Sequence, residues 1–419
     1  MRWDIFCQVI DNYGDAGVCW RLACELAARG HSVRLWIDDP APLHWLGGLP
    51  ATEPAITQPS ATERPIQHQG LTILPWRPDH AQPIAPALLP QARPDALPGT
   101  LPNPLPDVLI EAFGCDIPQP YLQALAQQCR PAGASPWPVW LNLEYLSAED
   151  YVQRMHRLPS PVMHGAAQGR SKTFFYPGFT AQTGGLLREQ DLADRQVRFD
   201  QAVWRRQWLP AVPPSPAQTL WISLFAYEPA CLRDWLHQWA FPASTAAHPP
   251  PVVHLLAAAG RSQTYLRQCW AQLGWPEPSA SAPWQQGQLH VHWLDFMPQP
   301  AYDELLWACD LNIVRGEDSL VRALWAGKPL LWHIYPQDDN AHHAKLDAFL
   351  DWLQAPPDWQ RAMHTLNGMS QAPHVSPAPT SPAALSPWQT CVSAARSSLL
   401  AQDDLATQLL LFVQRSREA

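Results

Sequence analysis

Two aspartates in the first loop of the chain are well placed for acid–base chemistry. Asp11 and Asp15 lie four residues apart, between a predicted strand and a predicted helix. Paired carboxylates in such a loop can divide the work of a general base and of an electrostatic support for a nucleophile. They can equally form an Asx-turn and a helix cap. Taken alone, this loop favours the structural interpretation.

A second candidate for chemistry lies near the C-terminal end. Leu311 to Val314 predicts a short buried strand, and Ser319 to Trp325 predicts a helix that Asp318 or Ser319 can cap. The helix start would offer unpaired N–H groups and a positive dipole end beside the Arg315 guanidinium, an arrangement suited to a phosphate. An ordinary capped turn with a surface ion pair explains this stretch alone equally well.

Alternating strands and helices position both motifs. A proline-rich break at 212–216 separates two such series, which predict two Rossmann-like α/β halves with a cleft between them. Ligands bind beyond the carboxyl ends of the strands in such sheets, where both motifs would lie. The predicted strands are Trp3 to Ile10, Val33 to Ile37, Leu71 to Leu74, Val108 to Ala112, Val139 to Leu143, Thr219 to Phe225, Val252 to Ala257, Leu289 to Trp293, Leu311 to Val314 and Leu330 to Ile334, and the predicted helices are Val18 to Arg29, Gln263 to Leu273, Ala301 to Cys309, Ser319 to Trp325 and Leu346 to Leu353.

The composition divides the chain into four segments. Residues 1–188 are predicted as an N-terminal Rossmann-like domain and residues 189–365 as a C-terminal Rossmann-like domain. Residues 366–390 are a Pro/Ala/Ser-rich insertion. Residues 391–419 contain an amphipathic helix, which we expect to pack back on the N-terminal domain.

Charge and cysteine usage narrow the class of protein. The net charge is −9, with 28 Lys and Arg against 37 Asp and Glu and no basic stripe, which argues against a nucleic-acid partner. The nine cysteines form no CxxC pair, so neither a zinc site nor a disulfide framework is indicated. No apolar run approaches the ~20 residues of a membrane span, and no signal peptide is evident. We expect a cytoplasmic protein without a membrane partner.

Several motifs in order resemble the EarP family, the protein-arginine rhamnosyltransferases of bacterial elongation factor P. The resemblance covers nearly the whole chain, with the exception of Pro-rich stretches between Pro40 and Pro106 and near Gln371 to Pro387. The fold it implies is GT-B, in which two Rossmann-like domains face each other across a cleft. The resemblance implies that residues 1–188 bind the acceptor and that residues 189–365 bind the nucleotide sugar. The motifs are Asp11-Asn12-Tyr13-Gly14-Asp15, Phe175-Tyr176-Pro177-Gly178-Phe179, Ser223-Leu224-Phe225-Ala226-Tyr227-Glu228 and Arg315-Gly316-Glu317-Asp318-Ser319.

The resemblance implies transfer of L-rhamnose from dTDP-β-L-rhamnose to an arginine of elongation factor P, with inversion at the anomeric carbon. The modified factor then relieves ribosome stalling at polyproline. By resemblance, Asp15 is the general base, and Asp11 orients the acceptor or supports the developing charge. Glu317 contacts the donor hydroxyls or supports the sugar. No cofactor and no metal are expected, because donor phosphates in GT-B enzymes are usually held by the protein alone.

The resemblance also implies a donor-binding set. Phe296 and Gln299 match the family's base-binding segment, while Arg315 and the Ser319 helix start would absorb the charge of the leaving diphosphate. For each aromatic residue, ordinary core packing is the alternative. The full set is Tyr13, Gly14, Phe225, Tyr227, Phe296, Gln299, Arg315, Glu317, Asp318 and Ser319.

Two other functions remain open from the sequence. The first is a GT-B transferase that uses another nucleotide sugar or another acceptor, since the phosphate site and fold would look much the same. The second is a non-catalytic nucleotide-sugar-binding protein. The intact carboxylates and the intact motif from Arg315 to Ser319 disfavour the second alternative.

Overall fold

Two compact α/β units make up the part of the chain that the computed structural model describes. The first unit comprises Met1–Gln190 and Gln402–Ala419, and the second comprises Asp191–Ala401. The division lies close to the predicted boundary between residues 188 and 189. The described residues are 1–10, 14–49, 65–76, 89, 105–129, 136–208, 219–242, 251–278, 283–337, 339–369, 378–379 and 381–418.

The first unit is built on an eight-stranded sheet of order β3-β4-β2-β1-β5-β6-β8-β7. Its strands are parallel except for the two edge hairpins, β3–β4 and β7–β8. In register, Ile5 of the central strand lies opposite Leu35 and Ile110. The strands are β1 Arg2–Cys7, β2 Ser32–Ile37, β3 Ile66–His68, β4 Leu71–Pro75, β5 Val108–Ala112, β6 Val139–Leu143, β7 Pro159–Pro161 and β8 Ser171–Phe175.

The second unit is built on a six-stranded sheet of order β11-β12-β10-β9-β13-β14. All neighbours are parallel except the β11–β12 hairpin. Parallel neighbours place the carboxyl ends of β9, β10 and β13 at one edge, which is where a doubly wound sheet binds ligands. The strands are β9 Thr219–Leu224, β10 Val252–Ala257, β11 Trp284–Gln286, β12 Leu289–Trp293, β13 Leu311–Arg315 and β14 Leu330–His333.

Helices cover both faces of the sheets, as parallel strands require. In the first unit, Leu26 of α1 and Leu409 of α14 pack with Ile5 on one face, while Tyr121 of α3 packs with Trp36 on the other. The helices are α1 Gly14–Ala28, α2 Leu43–Leu46, α3 Gln119–Gln128, α4 Asp150–Met155, α5 Leu192–Arg198, α6 Gln201–Trp208, α7 Leu232–Ala240, α8 Arg261–Gln272, α9 Gln299–Ala308, α10 Gly316–Ala326, α11 Ala341–Leu353, α12 Pro357–Leu366, α13 Ser386–Leu400 and α14 Leu405–Glu418.

The C-terminal segment differs from the single predicted helix. Helix α13 begins inside the range predicted as an insertion and belongs to the second unit, where Arg396 donates to the Trp325 carbonyl at 3.0 Å. Helix α14 belongs to the first unit. The break has a local cause, because the Asp404 carboxylate accepts the Thr407 N–H at 3.0 Å and so caps a new helix. Within Gln371 to Pro387, residues 371–377 and residue 380 lie outside the described residues.

Candidate active site

The start of α10 carries the residues that are predicted to bind an anion in the second unit. Gly316 adopts a left-handed φ of 66°, which turns the end of β13 directly into the helix. The helix therefore begins at Gly316, three residues before the predicted start at Ser319. The Ser319 hydroxyl donates to the Arg315 carbonyl and does not cap the helix, so the N–H groups without an intrahelical acceptor belong to the turn before Ser319.

Arg315 presents a guanidinium at this helix start. It is buried, and its Cζ lies 4.4 Å from the Phe225 ring centroid and 4.7 Å from the Tyr227 ring centroid. Two aromatic faces thus hold the cation in place. The guanidinium and the positive end of the helix both favour an anion placed beside them, so this arrangement is suited to a diphosphate.

His333 supports the aromatic wall at the end of β14. Its Nδ1 accepts the Tyr227 N–H at 3.2 Å, and the two rings meet edge to face with centroids 5.4 Å apart. Burial, aided by the Arg315 charge, lowers the pKa of His333 to about 3. The imidazole is therefore neutral at ordinary pH and keeps its acceptor nitrogen available to Tyr227.

A second helix start, that of α9, faces the first. Gln299 is buried in the first turn of α9, and its Nε2 donates to Asp318 Oδ2 at 3.5 Å. Tyr302 of the same helix packs edge to face on Phe225, with centroids 5.6 Å apart, and lies near Ser319. Burial raises the pKa of Tyr302, so its hydroxyl stays protonated as a potential donor. Tyr302 is not among the residues predicted from the sequence, although its position three residues after Gln299 places it close on the same helix face.

Glu317 and Phe296 are two further predicted donor-binding residues of the second unit. Glu317 Oε1 accepts from Lys345 Nζ of α11 at 2.6 Å, a partner that the sequence analysis missed. Phe296 is 52% exposed, and its ring lies beside Gly260, where an added Cβ would be 3.9 Å away. An exposed ring over a glycine is available to stack on a planar ligand.

Asp15 lies in the first unit, in the first turn of α1. Its buried carboxylate accepts the Ile10 N–H at 3.0 Å, and Asp38 accepts the Val9 N–H at 2.8 Å. Two carboxylates therefore hold the backbone that leaves β1. Burial raises the pKa of Asp38 despite its backbone hydrogen bonds. Asp38 follows the carboxyl end of β2, and that position is the sequence signal that could have identified it.

The predicted site residues are thus divided between the units. Gly14 opens α1 beside Asp15 in the first unit, whereas Asp11 and Tyr13 lie outside the described residues. The other predicted donor-binding residues, from Phe225 to Ser319, belong to the second unit. Among its described residues, the chain has no group of three or more His, Cys, Asp or Glu side chains that could hold a metal ion. All nine cysteines are free thiols.

None of the described helices is both long and apolar enough to cross a membrane.

Comparisons with known proteins agree with this architecture. The family model for elongation factor P (EF-P) rhamnosyltransferase EarP matches residues 3–414. A protein-arginine rhamnosyltransferase of Pseudomonas putida is 45% identical over 352 residues, covering 83% of this chain and 80% of that protein. One from Neisseria meningitidis serogroup B is 36% identical over 353 residues, covering 83% of this chain and 77% of that protein.

A solved structure described as the structural basis for EarP-mediated arginine glycosylation of translation elongation factor EF-P superimposes with a TM-score of 0.55 at 28% identity, covering 99% of both chains. The fold is that of the GT-B glycosyltransferases, as predicted, and the chain is a glycosyltransferase. Within that class, it belongs to the EarP family of EF-P rhamnosyltransferases. The resemblance drawn from the motifs is confirmed.

Proposed function

We propose that this chain transfers L-rhamnose from dTDP-β-L-rhamnose to one arginine of EF-P, with inversion at the anomeric carbon, and that the modified factor relieves polyproline stalling. The observation that carries the proposal is the family match over residues 3–414, together with relatives that are named protein-arginine rhamnosyltransferases. The proposal assigns the donor to the second unit and the acceptor chemistry to the first.

The start of α10 would stabilise the leaving group. As the bond between the anomeric carbon and the phosphate oxygen breaks, negative charge grows on dTDP. The N–H groups of the first turn and the Arg315 guanidinium, held between Phe225 and Tyr227, are preorganised to receive that charge. In this proposal these groups stabilise the leaving dTDP without a metal or a cofactor.

The start of α9 would recognise the thymine base. The exposed Phe296 ring can stack on a pyrimidine, and Gln299 offers both an amide donor and an acceptor for the edge of the base. Tyr302, with its protonated hydroxyl, adds a donor near Ser319. Glu317 would contact the sugar or support its binding through the Lys345 ion pair.

Asp15 would act on the acceptor. A guanidinium has a pKa above ~12, so its nitrogen becomes a nucleophile only when a carboxylate draws off a proton. In a single displacement, the nitrogen bonds to the anomeric carbon while the phosphate oxygen leaves, and the proton goes to the Asp15 carboxylate. Asp11 would orient the guanidinium. Asp15 is buried and fixed by the Ile10 N–H, which suits a group that must act in one orientation.

Intact mass spectrometry of EF-P, after incubation with the protein and dTDP-β-L-rhamnose, tests the proposal. We expect one added deoxyhexose on an arginine. We expect Asp15→Asn to slow transfer by about 10²-fold or more and to bind dTDP like the wild type, because a general base typically contributes 10²–10⁴. Asp39→Asn is the matched control, since Asp39 is an exposed aspartate near the end of β2.

The outcome separates the alternatives. If dTDP binds but EF-P gains no mass, the acceptor is a different molecule. If UDP or GDP raises the melting temperature and dTDP does not, the donor assignment fails, because a ligand stabilises the native state it binds. If Asp15→Asn transfers at the wild-type rate, Asp15 is not the base.

A further inference from the structure

A buried ion pair links the two helices that begin at the donor site. Asp303 of α9 and Arg322 of α10 are each 1% exposed. Arg322 Nε donates to Asp303 Oδ1 and Arg322 Nη2 donates to Asp303 Oδ2, both at 2.8 Å, which is the fork-to-fork geometry of a strong Arg–carboxylate pair. Arg195 of α5 adds a third contact, since its Nη2 lies 3.3 Å from Asp303 Oδ2 and 3.3 Å from the Pro300 carbonyl.

The pair lies one turn behind the residues assigned to the donor. Asp303 follows Gln299 by four residues on α9, and Arg322 follows Asp318 by four on α10. Residues four apart share a helix face, so the Gln299–Asp318 contact and the Asp303–Arg322 pair are successive links between the same two helices. The first link is weak, at 3.5 Å, whereas the second is short and bidentate.

Stability alone does not account for a charged pair at this position. Removing two charges from water is costly, and well-packed apolar residues of similar volume are often as stabilising or more so. A bidentate ion pair does fix the distance and the rotation of its two partners, which apolar contacts specify less tightly. Here those partners carry the base-binding and phosphate-binding ends of one donor site.

We propose that Asp303 and Arg322 are positioning residues, which set the start of α9 against the start of α10 so that one nucleotide diphosphate engages both. The inference rests on the proposed function, because it takes the donor to be a thymidine diphosphate sugar. Neither side chain touches the ligand. A misplacement of about 1 Å in a binding constellation can change rates by about 10²-fold, so a modest shift between the helices has a measurable effect.

Calorimetric titration of dTDP into the full-length protein is the test. The informative variant is the apolar double Asp303→Leu/Arg322→Met, which removes both buried charges together, so that only the partly exposed Arg195 loses a carboxylate contact. We expect it to fold with a melting temperature near that of the wild type and to bind dTDP at least about tenfold more weakly, which corresponds to about 1.4 kcal/mol. In steady-state assays the KM for dTDP-β-L-rhamnose should rise while the KM for EF-P stays unchanged.

A matched pair in the first unit provides the control. Asp4 and Arg34 are also buried and bidentate, with Arg34 Nε 2.5 Å from Oδ1 and Nη2 2.7 Å from Oδ2. Asp4→Leu/Arg34→Met should leave dTDP affinity unchanged. Arg322→Lys keeps the charge but loses the bidentate guanidinium geometry, so it should weaken dTDP binding to an intermediate extent. This variant replaces the apolar double variant in the test if the double variant does not fold.

Each result decides the inference. A selective loss of dTDP affinity in the α9–α10 variants supports it. The inference is overturned if Asp303→Leu/Arg322→Met binds dTDP with wild-type affinity, or if Arg322→Lys does so where the double variant does not fold. An equal loss of dTDP affinity in the Asp4→Leu/Arg34→Met control also overturns it. A wild-type protein that binds UDP or GDP but not dTDP overturns the proposed donor and this inference together, and the titration of the unmodified protein reveals that case first.

Discussion

Replacing Arg315 tests the donor site most directly. Its guanidinium lies between Phe225 and Tyr227, with its Cζ 4.4 and 4.7 Å from the two ring centroids. Arg315→Met removes the charge but keeps an unbranched chain between the rings. Arg315→Lys keeps the charge but loses the planar fork that both stacks on the rings and can donate to two phosphate oxygens.

The magnitude follows from the contacts that are lost. A hydrogen bond to a charged group contributes about 1.5–3 kcal/mol. At 1.4 kcal/mol for each factor of ten, Arg315→Met should weaken dTDP binding by about 10- to 150-fold. Arg315→Lys should lose about 1 kcal/mol, or about fivefold, because its ammonium still meets the diphosphate as a point charge.

Thermal stability should report the same loss. A ligand stabilises the native state that it binds in proportion to its affinity, so dTDP should raise the melting temperature of Arg315→Met less than it raises that of the wild type.

Calorimetric titration and thermal melts with and without dTDP measure both quantities. Arg205→Met is the control, because Arg205 lies 4.3 Å from the Trp221 ring centroid in the same unit and takes no part in the α10 start. Binding of dTDP to Arg315→Met within twofold of the wild type would refute the assignment of the diphosphate to this helix start.

Two further predictions concern stability. The pKa of His333 is lowered to about 3 in the folded protein. Below about pH 6.5 the unfolded chain therefore binds a proton that the folded chain does not bind. The free energy of unfolding should decrease by up to about 1.4 kcal/mol for each unit by which the pH is lowered. His333→Asn retains an acceptor for the Tyr227 N–H. Between pH 7 and pH 5 its free energy of unfolding, measured with urea, should decrease by about 2 kcal/mol less than that of the wild type. Equal decreases in the two proteins would show that His333 is not the cause of the pH dependence. Asp404 caps α14 and pairs with the buried side chain of Arg29 at 2.8 Å. Asp404→Ala should therefore destabilise the first unit by about 2–4 kcal/mol in chemical unfolding. Asp403 is an exposed neighbour, so Asp403→Ala should change the free energy of unfolding by no more than about 0.5 kcal/mol. Equal effects of the two alanine variants would remove the cap and the ion pair as the reason.

The buried strands were readable from local sequence because a parallel strand covered on both faces needs a continuous apolar run. The bounds predicted for β5, β6, β10 and β12 match the structure. Helix starts were harder to predict. The first turns of α1 and α10 carry glycines and acidic residues in place of an apolar period, so the predicted helices began at Val18 and Ser319 instead of Gly14 and Gly316.

Strand β8 shows how tertiary structure adds to local signals. Ser171–Phe175 is not among the strands predicted from the sequence, yet its residues Thr173 and Phe174 pair with Leu141 and Asn142 of β6. The neighbouring strand supplies the hydrogen-bond partners that make this segment a strand, and nothing within the segment specifies that neighbour.

The sequence by itself determined the alternation of two α/β series and the family, because these depend on short apolar runs and contiguous motifs. Only the tertiary structure decided that Tyr302 packs on Phe225, that Lys345 pairs with Glu317 and that Arg322 pairs with Asp303. Each of these contacts joins residues from separate elements of the second unit. The packing of the helices on the sheet determines which residues meet, and a local sequence pattern does not specify that packing.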